Sequence, residues 1–335
     1  MTPTFESLQQ LAADLPQLDF SLCTDQTAWL KSSPVQDYLN HYHINFTTEG
    51  LCRKHLLGKF AAAGFDIAAH LWLPSLQSAD EVAKRTVTAK GTIFLVHGFT
   101  DSVGLMQHAI RFLLQQGWNV VAFDLPGHGL SSGVQASIES FDQYREVLQT
   151  CLDHCRQHMP KPWHGVGQST GGSVWLNYVA TFPNQSAIDK VLLLAPLIRP
   201  KGWGTARWFF PVVKLFTGQL TRKYNLTSHD EDFLDFVRHR DPLQARITPL
   251  RWASAMEEWV QNFQVYPVQQ RPLKIIQGDA DTTVDFKYNV DAICATFPNT
   301  KVVMIPNARH QLVNESAAFR KKVFSHVLNW LDLKS

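Results

Sequence analysis

From residue 91 onward the chain repeats one pattern. Short runs of β-branched and aliphatic residues at 92–96, 119–123, 163–166, 190–194, 273–276 and 301–305 are mostly separated by stretches of helical character. Runs this short and this apolar suit strands buried on both faces, and their alternation with helices predicts a mostly parallel sheet covered on both sides. In such a sheet the loops at the carboxyl ends of the strands open a crevice, so residues directly after each run are placed to do chemistry. Upstream, Lys59-Phe60-Ala61 and residues 66–73 read as antiparallel edge strands that begin the sheet, and residues 75–90 as a polar link.

The third run ends in Gly167-Gln168-Ser169-Thr170-Gly171-Gly172, and residues 173–181 behind it read as a helix. A serine hydroxyl is a poor nucleophile at neutral pH and needs exposure, a base and donors for an oxyanion. A sharp strand-to-helix turn supplies the exposure, and the helix N-terminus supplies unpaired N–H groups. Small residues at Gly167 and Gly171 let the backbone cross itself there. G-x-S-x-G alone also occurs in plain loops, so the argument rests on the partners. The run 273–276 leads through Gln277-Gly278 to Asp279-Ala280-Asp281, and the run 301–305 leads to Arg309-His310. The order Ser, Asp, His differs from that of the chymotrypsin and subtilisin types.

With His97-Gly98-Phe99-Thr100, residues 124–131 (Asp-Leu-Pro-Gly-His-Gly-Leu-Ser) and residues 309–315 (Arg-His-Gln-Leu-Val-Asn-Glu), these motifs carry a resemblance. From about residue 92 to the C-terminus the chain resembles an α/β-hydrolase. More narrowly, it is similar to the bacterial lysophospholipase and monoacylglycerol lipase branch often described as serine aminopeptidase S33. The resemblance implies cleavage of carboxylic esters, with Ser169 as nucleophile, His310 as base and Asp281 orienting the histidine. The backbone N–H groups of Phe99 and Thr170 would hold the oxyanion. Asp279 is the alternative acid, while Asp285 reads as a helix cap. His97 and His128, in glycine-rich turns, read as loop organisers, and Gln168 as a packing or hydrogen-bonding residue.

The same branch carries an insertion over the active site, which divides the chain. Residues 1–45 form a helical or irregular N-terminal extension, with a partial apolar stripe at Leu8, Leu11, Leu15 and Leu18. Residues 46–197 form the first part of the α/β-hydrolase core, 198–271 a helical cap, and 272–335 the second part of the core, closed by a helix over 315–331. The cap begins with Arg199, Lys201, Arg207, Lys214, Arg222 and Lys223 interleaved with aromatic and aliphatic residues, and has no acid before Asp230. Such a mixture suits either an acyl pocket, with Trp203, Trp208, Phe209 and Phe210 as its lining, or peripheral contact with anionic lipid. Either reading favours a greasy small-molecule ester. Asp230, Glu231, Asp232 and Asp235 read as a solvated acidic face.

Several function classes are disfavoured. A net charge of +2 with interspersed signs gives no basic face for nucleic acid. A serine at the elbow argues against dehalogenase or epoxide hydrolase chemistry, which uses an aspartate there. An aminopeptidase would share the triad but needs carboxylates for an α-ammonium, for which Glu257 and Glu258 are the candidates. A non-catalytic binding module would be expected to have lost a triad member, and none is lost. Cys151, His154, Cys155 and His158 fall at helical spacing, but Phe141, Tyr144, Leu148, Cys151, Cys155 and Met159 form one apolar stripe, so the cysteines read as core rather than as a metal site. No motif calls for a metal, nucleotide or flavin. Five scattered cysteines and an N-terminus without a signal pattern point to the cytoplasm, with oligomeric state left open.

Overall fold

The computed structural model describes residues 2–75, 88–183, 187–205, 216–222 and 224–333. Its centre is an eight-stranded sheet made of β1 (Cys52–Ala62), β2 (Phe65–Pro74), β3 (Thr92–Val96), β4 (Asn119–Phe123), β5 (Trp163–Gln168), β6 (Lys190–Leu194), β9 (Leu273–Gly278) and β10 (Lys301–Ile305). The spatial order is β1-β2-β4-β3-β5-β6-β9-β10. The hairpin β1–β2 is antiparallel and joins β4 antiparallel, while every neighbour pair from β4 to β10 is parallel. Each apolar run of the sequence is thus a strand. β1 and β2 are longer than their apolar kernels because paired backbone carries them past polar residues such as Lys54 and His55.

The two sheet faces bury separate apolar clusters, and strand residues alternate between them as a period of two requires. In β3, Phe94 and Val96 join one cluster with Trp175 of the helix α6 (Thr170–Thr181) and Leu148 and Cys151 of α5 (Phe141–Cys155). Ile93 and Leu95 join the other, with Ile110 of α4 (Gln107–Gln115) and Val327 of α10 (Ala317–Leu331). The last helix starts two residues later than expected, because Leu312–Asn314 forms a short 3-10 turn first. Cys151 and Cys155 lie buried in the first cluster, whereas His154 stacks on Phe20 at 4.8 Å and His158 is exposed. These four side chains therefore point to different surroundings. No helix among the described residues is long and apolar enough to cross a membrane.

Residues 1–45 hold α1 (Phe5–Asp14), α2 (Thr27–Leu30) and α3 (Ser33–His41). Leu8, Leu11 and Leu15 are buried in the second cluster and Leu18 in the first, so this segment wraps the edge of the sheet. Between residues 198 and 271 the described chain is not purely helical. A two-stranded antiparallel ribbon, β7 (Gln219–Thr221) and β8 (Ile247–Pro249), accompanies α7 (Glu231–Asp235), a π turn at Phe236–Arg240 and α8 (Leu250–Gln264). α8 packs into the first cluster, where Trp259 stacks on Phe141 of α5 at 5.5 Å. α9 (Phe286–Thr296) follows β9 and is capped by Asp285, whose side chain accepts from the Tyr288 N–H.

The N-terminal segment docks where β1 has a glycine. Lys59 N–H donates to Pro16 O at 2.8 Å and Leu18 N–H to Lys59 O at 2.9 Å. A Cβ on Gly58 would sit 2.7 Å from Pro16 O and 3.0 Å from Leu18 Cα, both backbone atoms that cannot rotate away. Gly58→Ala should therefore push residues 16–18 off the edge and destabilise the protein by about 1–3 kcal/mol. Urea denaturation measures this as a lowered midpoint; an unchanged midpoint would mean that the segment is not integral to the fold.

Candidate active site

Ser169 stands between β5 and α6 with φ 53° and ψ −113°, a conformation costly for a residue with a side chain. The surrounding backbone is too close for side chains. A Cβ on Gly167 would meet Gly171 O at 2.3 Å, and one on Gly171 would meet Val96 O at 2.1 Å. β5, α6 and the end of β3 thus cross at a point only glycines allow, and the strain is held at the serine. Thr170 is the first residue of α6, so its N–H is among those that helix geometry leaves unpaired.

The three polar side chains named from the sequence come together here. His310 Nε2 lies 3.0 Å from Ser169 Oγ, and His310 Nδ1 lies 2.7 Å from Asp281 Oδ2. Asp281 is further held by N–H donors from Thr283 at 2.7 Å and Val284 at 3.2 Å and by the Gln277 amide at 3.1 Å. All three side chains are buried but for a small opening at Ser169, which is 7% exposed. Burial alone would pull the His310 imidazole down and push the Asp281 carboxyl up. Their mutual attraction and hydrogen bond outweigh burial, so His310 sits above its ordinary value and Asp281 below. Asp279 is exposed and accepts from the Asn307 N–H at 2.6 Å, away from His310. Gln168 donates to the His310 carbonyl at 2.9 Å and so ties the elbow to the histidine loop.

The loop carrying Phe99 is organised by His97. Leu125 N–H can only donate, so His97 Nε2 accepts from it at 2.9 Å, and Nδ1–H donates to Gly98 O at 2.7 Å. Burial, with His128 nearby, lowers His97 to about 3, which keeps it neutral for this double role. Asp124, pushed up to about 7 by burial, accepts from Val103 N–H at 2.7 Å and Leu130 N–H at 2.8 Å. Gly98 runs so close to Ser169 that an added Cβ would lie 3.3 Å from Ser169 Cβ, which brings Phe99 alongside the serine.

A cavity of about 380 Å³ opens over Ser169 and His310. Trp203 lines it, as the sequence suggests; Trp208, Phe209 and Phe210 lie outside the described residues. Glu257 and Glu258, on α8, do not line it. The apolar wall includes Leu197, Met256 and Trp252, whose ring stacks on Phe99 at 3.7 Å. These residues were not singled out from the sequence because a tryptophan and a methionine on an amphipathic helix read equally well as core. Asp101 and Gln311, paired at 3.0 Å on the cavity wall, were also missed; only their places next to the His97 and His310 motifs hinted at them. Arg199, counted among the basic residues of the insertion, instead pairs with Asp285 at 2.6 Å and lies 3.5 Å from the Tyr288 ring centroid. In the acidic stretch, Asp230 caps α7 and pairs with Arg320 at 2.9 Å, while Glu231, Asp232 and Asp235 are exposed.

Residues 87–317, more than half of the chain, match the family model described as serine aminopeptidase, S33. Phospholipase YtpA of Bacillus subtilis is 24% identical over 208 residues, which is 58% of this chain and 76% of that protein. A Haemophilus influenzae protein described as "Probable lysophospholipase L2" is 22% identical over 273 residues, 72% of this chain and 84% of that protein. Among solved structures, a soluble variant of monoglyceride lipase from Saccharomyces cerevisiae, in complex with a substrate analog, shares the fold with a TM-score of 0.67 at 19% identity. That match covers 82% of this chain and 94% of the other.

The geometry makes His310 a titration probe of its own site. Side-chain NMR should find its imidazole titrating above the ordinary 6.5, so the ring gains its proton as pH falls through that raised value. In Asp281→Asn the larger attraction is gone, and burial outweighs what Asp101 still supplies, so the imidazole should titrate below 6.5. An unchanged value in the variant would contradict this account of the pair.

Proposed function

The chain belongs to the α/β-hydrolase family described as serine aminopeptidase, S33, and from that premise we propose that it hydrolyses carboxylic esters of lipid-like substrates, lysophospholipid or monoacylglycerol, through an acyl-enzyme on Ser169. The observation that carries this reading is the unbroken row Asp281–His310–Ser169 ending in a mostly apolar cavity. The names of the relatives, a phospholipase, a lysophospholipase and a monoglyceride lipase, point the same way.

In this mechanism Ser169 Oγ attacks the acyl carbonyl while His310 Nε2 takes the hydroxyl proton. Asp281 keeps Nδ1 as the protonated nitrogen and stabilises the imidazolium that forms. The carbonyl oxygen becomes an oxyanion facing the N–H groups of Phe99 and Thr170. Collapse breaks the ester C–O bond, and His310 returns its proton to the leaving alcohol. Water, deprotonated by the same nitrogen, then attacks the acyl-enzyme and releases the acid and free Ser169.

The peptidase alternative is disfavoured by charge. An α-ammonium needs free carboxylates, yet among the described residues lining the cavity the only acid is Asp101, which already accepts from Gln311. Arg222 and Arg238 on the same wall would repel a cation. The aromatic and basic insertion also supports peripheral contact with a lipid surface. Phe216, Leu220 and Leu226 are 83%, 45% and 60% exposed, and Leu220 reaches the cavity itself. Five unpaired cysteines fit a reducing compartment and a cytoplasmic site of action.

Ser169→Ala should lower kcat on p-nitrophenyl esters by a factor on the order of 10³–10⁶ and abolish labelling by a fluorophosphonate probe. Medium and long acyl esters should be the better substrates, with aminoacyl anilides uncleaved. Labelling that persists in the variant would reject Ser169 as nucleophile. An intact protein silent towards every ester and the probe would favour a non-catalytic binding role.

A further inference from the structure

The cavity has a second wall of different chemistry. Tyr224 stands in it with three guanidinium groups around its ring, Arg222 at 4.9 Å and Arg238 and Arg246 each at 5.8 Å from the ring centroid. Arg246 holds the group together, donating to the Tyr224 hydroxyl at 2.7 Å and to the Arg238 carbonyl at 2.5 Å. Arg222 donates to the Gln244 side chain and to Ala245 O.

Three permanent cations around one ring repel each other, and an aromatic face attracts them without cancelling their charge. None of the three has an ion-paired carboxylate among the described residues. Asp101 and Asp241 attract Arg222 without forming an ion pair with it, and their oxygens are taken by neutral donors. Asp241 accepts from the Tyr42 hydroxyl at 2.6 Å, from Leu243 N–H and from the Gln244 amide, and Asp101 accepts from Gln311. Arg222 and Arg238 line the same cavity as Ser169 and His310.

The two walls belong to opposite sides of the sheet. Leu197, Trp203, Trp252 and Met256 pack with the cluster on one face, and Tyr224 and Val237 with the cluster on the other. A ligand filling this cavity meets aliphatic and aromatic surface on one side and guanidinium groups without an ion-paired carboxylate on the other. Two guanidinium forks match the oxygens of a phosphate, the anion for which Arg geometry is best suited. We propose that the arginine wall around Tyr224 is an anion subsite, and that the preferred substrates are acyl esters carrying a phosphate group, with the acyl chain on the apolar wall and the phosphate on Arg222 and Arg238. This deepens the ester-hydrolase reading and rests on it.

The test compares 1-acylglycerol 3-phosphate with monoacylglycerol of the same acyl chain, for the full chain and for an Arg222→Gln, Arg238→Gln double variant. The unaltered protein should favour the phosphate ester in kcat/KM, and the double variant should lose about tenfold or more of that preference, mainly through KM. Arg222→Lys with Arg238→Lys should retain part of it, which separates charge from fold damage. A parallel calorimetric titration of decyl phosphate and decyl glucoside into Ser169→Ala protein needs no turnover; only the phosphate should depend on the two arginines. Equal preference and equal binding with and without the arginines would overturn the subsite while leaving ester hydrolysis standing. Arginine-dependent phosphate binding without any ester turnover would do the reverse. Arginine-dependent binding to phosphatidylglycerol vesicles, with monomeric decyl phosphate ignored, would make the arginines a membrane contact and also overturn the subsite.

Discussion

Everything in this molecule is arranged around a backbone crossing with no room for a side chain. The end of β3, the end of β5 and the start of α6 approach so closely that a Cβ at Gly167 or Gly171 would lie within 2.3 Å of a carbonyl oxygen. That contact cannot relax locally, because β3 and β5 pair in parallel along their lengths and α6 is buried almost throughout. Ser169 is therefore forced to φ 53° and ψ −113°, a strain of about 1–3 kcal/mol that only a well-packed surround sustains. The same crossing brings Gly98 against the serine, so Ser169 and the Phe99 loop are positioned by a single constraint.

The histidine is positioned by a second, more distant device. Glu315, wholly buried, accepts N–H donors from Arg309 at 2.7 Å, His229 at 2.9 Å and Ser316 at 3.0 Å. Burial would push its carboxyl up, but these donors hold it below the usual range. Arg309 in turn donates to Ser228 O, Ser228 Oγ to Asn314 O, and Gln311 N–H to Thr227 O. The loop bearing His310 is thus laced to residues 227–229 of the insertion. The segment that walls the cavity also fixes His310, so a change in one is felt by the other.

This difference explains what could be read from the chain. The strands, the elbow, Asp281 and His310 were legible because each is a local pattern: an apolar run of a few residues and the groups directly after it. Asp285 was legible as a cap for the same reason. The second wall was not, since Tyr224, Arg238 and Arg246 meet only when a short ribbon and a π turn fold over each other, and none of those carries a strong signal. Glu315 was read as the start of the last helix, whereas the Leu312–Asn314 turn delays that helix and frees the carboxylate to face inward. Burial of Leu8, Leu11 and Leu15 followed the apolar stripe, but the docking of residues 16–18 on β1 depends on Gly58, whose missing side chain is conspicuous only beside Pro16.

The placement of charge around Ser169 carries the remaining logic. In the proposed mechanism, proton transfer from the serine would turn His310 into a cation inside a cavity that also holds Arg222. Burial is the largest influence against that charge. Asp281 opposes it directly at 2.7 Å. Asp101, buried on the cavity wall, feels both Arg222 and His310, and each draws its carboxyl down against the larger upward push of burial. Held by Gln311, it also attracts the protonated imidazole of His310. An anion bound at the proposed Tyr224 subsite would add to the attraction on that charge.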